Sequence, residues 1–212
     1  CTSFDLPRFG DPHYAERVIA DLDEDFRDGA VACKVWKNLG MQVRDPHGNY
    51  LMVDHPILRP VFDHLEKTGR TLLMHTGEPR ACWDPLDSPS PHAAYYKKNP
   101  QWHFHGKQGV PTYAQILEAR DRVIQRHPTL RIVGAHLASL EWSVGEIAAR
   151  LDRFPNFAVD TSARVKDLVV QNRNAVVEFF TKYQDRILFG TDRVIRSFAG
   201  MKDAEREEAV RG

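Results

Sequence analysis

The chain has 212 residues, 42% of them hydrophobic and 27% charged, with 29 basic and 29 acidic side chains and a formal net charge of zero. That is ordinary globular usage with room for a buried core, and the balanced charge supplies no basic face for nucleic acid or anionic lipid. No apolar run approaches the ~18 residues of a membrane span, and three scattered cysteines, Cys1, Cys33 and Cys82, offer neither a disulfide framework nor a CxxC metal spacing.

Residues 2–6 read as the tail of a strand. Asp11-Pro12 joins an N-cap residue to a proline at the first helical position and opens a helix to about residue 27, which Gly29 stops. AVACKVW (30–36) is the next strand. A polar turn with Asp45, Pro46, Gly48 and Asn49 leads to a helix over 56–67, ended by Gly69. Residues 71–75 form a strand, after which 77–111, rich in Pro, Gly, His and aromatics, breaks the rhythm. A connection of that length inside a compact domain marks a functional loop or lid. A helix over 112–126, a strand over 131–136, a helix over 140–153, a strand over 157–161, a helix over 165–183 and a strand over 187–191 follow. The chain closes in the charged, helix-forming KDAEREEAVRG.

This alternation is that of parallel βαβ units. It predicts one α/β domain over 1–212, an incomplete (β/α)8 TIM barrel holding about strands 3 or 4 to 8, with a loop insertion at about 77–111. A doubly wound sheet is the rival, and the lack of a GxGxxG after the first strand counts against it. Because the chain opens at Cys1 without a Met and within strand-like sequence, both ends are expected to be cut. The protein reads as soluble and cytoplasmic by default, and a leader upstream of Cys1 stays open.

Chemistry gathers at three strand ends. TLLMHTGEP, RIVGAHLAS and RILFGTD place His75, His136 and Asp192 just past apolar runs, and strand C-termini of a parallel barrel converge on the face that carries its chemistry. A lone histidine there reads as structural and a lone Asp as an N-cap; together they predict a divalent metal site, with zinc–nitrogen distances of about 2.0–2.1 Å. Coordination would lower the pKa of water toward ~7 and supply a nucleophile at neutral pH.

Strand alternation puts Ala32, Lys34 and Trp36 on one face. A lysine facing the barrel interior binds a carboxylate or is modified, and one facing the helices snorkels; both stay open for Lys34. Lys37 reads as a surface or mouth residue. Glu78, Arg80, Trp83, Ser139, Glu141, Trp142, Asp160 and Arg164 also fall at or beyond strand ends. The substrate-binding candidates are Lys34, Trp36, Glu78 and Arg164, an arginine being suited to a two-pronged grip on a carboxylate. His103 and His105, flanking Phe104, read as part of a lid wall, with a second metal site as the alternative. His13, His47, His55, His64, His92 and His127 read as surface or capping residues.

LLMHTGEP, VGAHLASLEW and LFGTD, in that order over about 29–192, resemble the amidohydrolase superfamily, in the amidohydrolase-related branch that also contains the aminocarboxymuconate semialdehyde decarboxylases. The resemblance implies that His75 is a metal ligand and Asp192 a ligand and proton shuttle. His136 is implied to be either a catalytic imidazole polarising the attacked group or a ligand to a second metal. The metal is expected to be zinc, with manganese the alternative. It also implies a His-x-His pair on the first strand; the pair present here, His103 and His105, lies in the long loop, and truncation before Cys1 explains the missing one. A carboxylated lysine of the two-metal members would fall near Lys34, although this branch usually manages with one metal. The expected activity is a metal-dependent hydrolase opening a small-molecule amide, lactone or ester-like bond through metal-activated water. A non-oxidative decarboxylase with the same site, and a non-catalytic barrel with a vestigial site, are the alternatives. The expected partner is a small-molecule substrate, with no nucleic acid or membrane and homo-oligomerisation left open.

Overall fold

The computed structural model describes residues 1–7 and 9–192. Helix α1 (Tyr14–Arg27) buries Tyr14, Val18, Leu22 and Phe26, one residue per four, so a single stripe meets the sheet. It starts two residues later than Asp11-Pro12 predicts. The Asp11 carboxylate accepts the His13 N–H at 2.9 Å and its carbonyl accepts the Tyr14 N–H, closing a turn ahead of the helix. Strand β1 (Ala32–Val35) follows, then α2 (Arg59–Lys67) and β2 (Thr71–Met74). Within the long connection lies α3 (Ala93–Lys98). Next come α4 (Tyr113–Arg126), opened by a reciprocal Thr112–Gln115 capping box, β3 (Arg131–Gly134) and α5 (Val144–Arg153), capped by Ser143. Strand β4 (Phe157–Asp160) leads to α6 (Val165–Leu168), α7 (Arg173–Lys182) and β5 (Ile187–Leu188).

The single helix predicted over 165–183 is therefore two. Asn172 leaves helical conformation (ψ 120°) and its side chain caps the Ala175 N–H at 3.1 Å, starting α7 afresh. The strand predicted at 2–6 is one parallel bridge, Thr2 to Cys33, and the strand predicted over 187–191 is regular only at Ile187–Leu188. The helical reading of KDAEREEAVRG lies outside the described residues.

The five strands form one parallel sheet in the order β1-β2-β3-β4-β5. A doubly wound sheet reverses strand order at its switch point; this one never does, so the sheet is an arc of a (β/α)8 barrel. The register pairs Val35 with Met74, Met74 with Gly134, Gly134 with Val159 and Val159 with Ile187, so the strand ends finish level. Alternate residues Cys33, Val35, Leu72, Met74, Ile132, Phe157 and Val159 are buried in the core shared with the helices. Lys34, Leu73, Val133 and Ala158 form the half-buried opposite face. Lys34 thus points away from the helices and does not snorkel among them. Gly134 is needed for close packing: a Cβ there would sit 2.6 Å from Ala138 Cβ and 2.8 Å from Phe157 Cζ.

The 77–111 segment has a small core of its own, in which Cys82, Tyr96, Trp102 and Phe104 pack with Met41 and Ile116. Trp83 Nε1 donates to the Pro111 carbonyl at 2.9 Å and pins the segment's end to its start. His103 and His105 hold backbone carbonyls of the same segment, Asp84 at 2.9 Å and Trp83 at 3.0 Å. They are pins within the segment. Among the described residues no helix is long and apolar enough to cross a membrane.

Candidate active site

His75 and His136, one step beyond β2 and two beyond β3, are both buried, and their ring centroids lie 4.3 Å apart. What puts His136 there is an unusual backbone. His136, Leu137, Ala138 and Ser139 all have φ between 55° and 58°, a left-handed turn of four L-residues. Such a conformation costs about 1–2 kcal/mol per residue and persists only where surrounding contacts over-determine it. Those contacts are present. The Asp160 carboxylate, at the end of β4, accepts the His136 N–H at 2.8 Å and the Ser162 N–H at 3.0 Å. Ser139 Oγ donates to the Thr76 carbonyl at 2.8 Å, Tyr113 donates to the Ser139 carbonyl, and Arg120 donates to the Ala138 carbonyl. Asp160, a pocket candidate by sequence, is a positioning residue in the structure.

His136 Nδ1 lies 2.9 Å from the Ser162 carbonyl. A carbonyl can only accept, so Nδ1 carries the proton and Nε2 presents a lone pair. The His75 ring makes no hydrogen bond to a described residue. Burial, then neighbouring His136, Lys37, Lys34 and Arg164, holds His75 well below the usual imidazole range. Burial lowers His136 too; the Ser162 carbonyl and Asp192 oppose this and Arg164 reinforces it. Both rings are therefore neutral at pH 7, the state that a metal ion or an incoming proton requires.

The two rings line a cavity of about 260 Å³ together with Asp192, Glu78, Arg164 and Lys37. Asp192, an exposed residue at its rim, also has a positive φ of 58°. Gly190 serves the approach of this segment, since a Cβ there would collide with the Ser162 hydroxyl. Lys37, read from sequence as a surface or mouth residue, is buried: its ammonium pairs with Glu78 and lies 4.0 Å from the centre of the Trp102 ring. The small core of the 77–111 segment supplies that ring, which sequence order alone does not bring to Lys37. Of the substrate-binding candidates, Glu78 and Arg164 share the cavity with the histidines. Lys34 and Trp36 line a separate pocket with Phe4 and Leu39, and Trp36 meets Trp102 edge-on at 5.5 Å.

Two histidines read as surface or capping residues are buried. His92, from the 77–111 segment, meets Asp167 at 2.8 Å, and Lys166 beside it donates to the Pro91 carbonyl at 3.1 Å, so the segment is fastened to the loop after β4. His127 faces Glu66 at 3.1 Å. Their partners lie more than sixty positions away, beyond what local pattern reveals. Glu141, beside the His92 pair, accepts the Arg80 N–H at 2.9 Å, and burial pushes its carboxyl up to about 7.

Two imidazoles free to coordinate and one carboxylate make a donor set suited to a divalent ion. His75 and Asp192 are the residues that would hold it, with the Nε2 of His136 lining the same cavity. Among the described residues a tighter grouping, with ligand atoms all within 4.8 Å, is Asp63, Glu66 and His127. It lies at the opposite ends of the strands, and Glu66 is taken up there by the Thr129 N–H and hydroxyl at 2.9 and 2.7 Å.

The sequence matches the amidohydrolase family over residues 7–210. No curated protein matches it. Among solved structures it is similar to an uncharacterised TIM-barrel protein from Bordetella bronchiseptica, with 21% identity over 89% of this chain and 52% of that one and a TM-score of 0.51. A dihydroxybenzoic acid decarboxylase from a Polaromonas species, with bound manganese and the inhibitor 2-nitroresorcinol, shares 17% identity over 92% of this chain and 63% of that one, at a TM-score of 0.50. A dihydroorotase from Campylobacter jejuni shares 12% identity over 90% and 50%, also at 0.50. The chain spans 50% to 63% of the length of these proteins, and at such identities the likeness is one of fold. With a family match over nearly the whole sequence and an arc of barrel strands ending in His75, His136 and Asp192, the chain belongs to the amidohydrolase family.

Proposed function

We propose that this chain carries the larger part of a metal-dependent hydrolase that opens an amide, lactone or ester-like bond in a small molecule. The observation that carries the reading is the orientation of His136. Its Nδ1–H is spent on the Ser162 carbonyl, so a bare Nε2 is offered beside the His75 ring, which makes no hydrogen bond to a described residue, in a cavity that Asp192 also lines. A divalent ion, zinc or manganese, held by His75 and Asp192 supplies the polarisation of the carbonyl and of water.

The protein's own groups do the rest. A neutral His136 with Nδ1 protonated is a proton acceptor at Nε2, which suits it to receive a proton from water as the water adds to the carbonyl. In this tautomer it is not a donor to the substrate oxygen, so the carbonyl-polarising role implied for it by resemblance requires its protonated form. Asp192 steers the water, takes the proton left on the added hydroxyl and passes it to the departing amine or alcohol, and His136 returns its own proton to solvent. Asp160 fixes the direction of the imidazole by holding both the His136 and Ser162 backbones.

The test is a panel of small lactones and amides with zinc- or manganese-loaded protein, run beside aromatic and muconate-like acids. Hydrolysis by the wild type, lost in His75→Ala and Asp192→Asn together with bound metal, is the expected result. Release of carbon dioxide without a hydrolysis product overturns the hydrolase reading in favour of a decarboxylase, and no bound metal with unchanged behaviour of both variants leaves a vestigial site.

A further inference from the structure

Glu141 and Asp167 are buried carboxyls that the reaction centre does not use, 3% and 4% exposed. Each has one oxygen taken up by the protein: Glu141 Oε1 accepts the Arg80 N–H at 2.9 Å, and Asp167 Oδ1 meets His92 Nε2 at 2.8 Å. The other oxygens, Glu141 Oε2 and Asp167 Oδ2, are buried with no partner among the described residues. Buried polar atoms are nearly always hydrogen-bonded, so each orphan calls for an explanation. Here both residues line one cavity, of about 280 Å³. Gln171 ties them together: its Nε2 donates to the Glu141 carbonyl at 2.7 Å and to the Asp167 carbonyl at 3.0 Å, while its Oε1 accepts the Val144 N–H at 2.8 Å.

Charge and lining define what fits. Asp84 adds a third carboxylate to the wall, and the one guanidinium there among the described residues, Arg80, is exposed and lies over the Trp142 ring, 4.6 Å from its centre. Among the described residues only His92 is within ion-pair distance of either buried carboxyl. Arg164, which eases the charge on Glu141, lines the reaction cavity instead. A divalent ion is a poor match, because it takes a tight set of several ligands, and the one such group of three among the described residues is Asp63, Glu66 and His127. A primary ammonium matches, with three N–H donors and no acceptor. Pro89, Pro91, Trp142 and Val170 provide an apolar lining for a short carbon chain, in a cavity at the small end of ligand pockets, roughly 300–1,000 Å³.

We propose that this cavity is a second ligand site, separate from His75, His136 and Asp192, and that it takes a small primary amine whose ammonium donates to Glu141 Oε2 and Asp167 Oδ2. The segment after β4 divides the two cavities: Ala163, Arg164 and Lys166 line the reaction cavity, and Asp167, Val170 and Gln171 line this one. The amine site is independent of which bond the reaction centre breaks.

Butylammonium and 1-butanol, a cation and a neutral analogue of the same chain length, are the probes. Binding to the full chain is measured by calorimetry at pH 8, where Glu141, pushed up to about 7, is ionised. The expected result is butylammonium binding about tenfold tighter or more, the worth of one hydrogen bond between charged groups. Glu141→Gln and Asp167→Asn, which keep the shape and remove one charge each, should both remove most of that preference with butanol affinity unchanged, and Asp192→Asn should leave it intact. Equal binding of the two probes by wild type overturns the proposal, as does a preference that is undiminished in Glu141→Gln or that disappears in Asp192→Asn instead. Binding of calcium without binding of butylammonium overturns it in favour of a metal site. Should Asp167→Asn, which gives up the charge facing His92, fail to fold, the wild-type contrast and Glu141→Gln still decide. Failure of the hydrolase reading leaves this result untouched, because the probe contrast involves no turnover.

Discussion

The two ends of the sheet are built on opposite principles. At the N-terminal ends of the strands, polar groups are consumed in pairs: Asn156 Nδ2 reaches the His127 and Leu130 carbonyls at 2.8 and 3.0 Å, Glu66 takes Thr129 and His127, and Arg186 takes the Phe154 and Pro155 carbonyls at 3.1 and 3.3 Å. At the C-terminal ends lie all six non-glycine residues of positive φ found among the described residues. Of the six buried side-chain atoms that lack a partner among the described residues, four, on Thr76, Glu141, Arg164 and Asp167, are there too, against Arg70 and His127 at the other end. In barrels of this kind the former end serves stability and the latter chemistry. The contrast shows where stability has been given up, and it makes the strained, unpaired end a functional candidate on physical grounds.

The strongest way to break this contrast is to exchange its outcomes. His136→Asn is expected to lower kcat/KM by about 10²–10⁴ with stability unchanged or higher, as is usual when an active-site group is removed. Asn156→Ala is expected to do the reverse. Losing the two part-buried Nδ2 hydrogen bonds, with the His127 carbonyl keeping the Leu130 N–H, costs about 1–3 kcal/mol, read as a lower urea midpoint, while kcat/KM per folded molecule stays within about twofold. If the two variants lose stability alike, the division of labour between the ends is wrong.

A second test reads the unpaired end through pH. Burial raises the folded-state pKa of Glu141 from 4.5 to about 7, so between those values the folded protein holds a proton that the unfolded chain has released. This contribution is fully present below pH 4.5 and is lost as pH rises through about 7, a decline of about 3 kcal/mol for this one group. His75 and His136 act in the opposite sense: their folded pKa values are depressed, so their contribution is present above 6.5 and is lost as pH falls. Glu141→Gln isolates the carboxyl. The stability of the variant minus that of wild type, from denaturant titrations at pH 5 to 8, should climb with pH, whereas a flat difference would show that Glu141 is not buried as a neutral acid.

How much of this was legible in the sequence follows the same divide. Apolar periodicity, with Asp11-Pro12 as a start signal and Gly29 and Gly69 as stops, locates most strands and helices, because burial on one face and chain punctuation are local properties. The level strand ends follow from the parallel order, which is why His75 and His136 could be paired before any coordinates. Local pattern misses whatever the 77–111 segment brings from afar: the Trp102 ring over Lys37, the buried His92–Asp167 pair and the second apolar cluster. It also misses the left-handed run at His136–Ser139, since AHLAS has neither glycine nor asparagine to announce one. That run is imposed by Asp160, Thr76, Tyr113 and Arg120, all distant in sequence. The break in the predicted 165–183 helix was within reach, because Asn172 is an N-cap residue type, but apolar spacing across it outweighed that signal.

The smallest expected effect is also the most direct measure of strain. Ala163 is exposed and has φ 55°, so its methyl gains nothing from burial and bears the cost of a left-handed conformation. Ala163→Gly should raise stability by about 1 kcal/mol, the relief outweighing glycine's greater freedom in the unfolded chain. Ala138→Gly is its control. The same φ is relieved there, but the methyl is fully buried, and losing it costs about 0.8 kcal/mol, so the two effects nearly cancel. Thermal unfolding of the pair separates strain from packing. If Ala163→Gly is instead no more stable than wild type, the positive-φ residues at the strand ends are relaxed, and the energetic half of the contrast with the opposite end disappears.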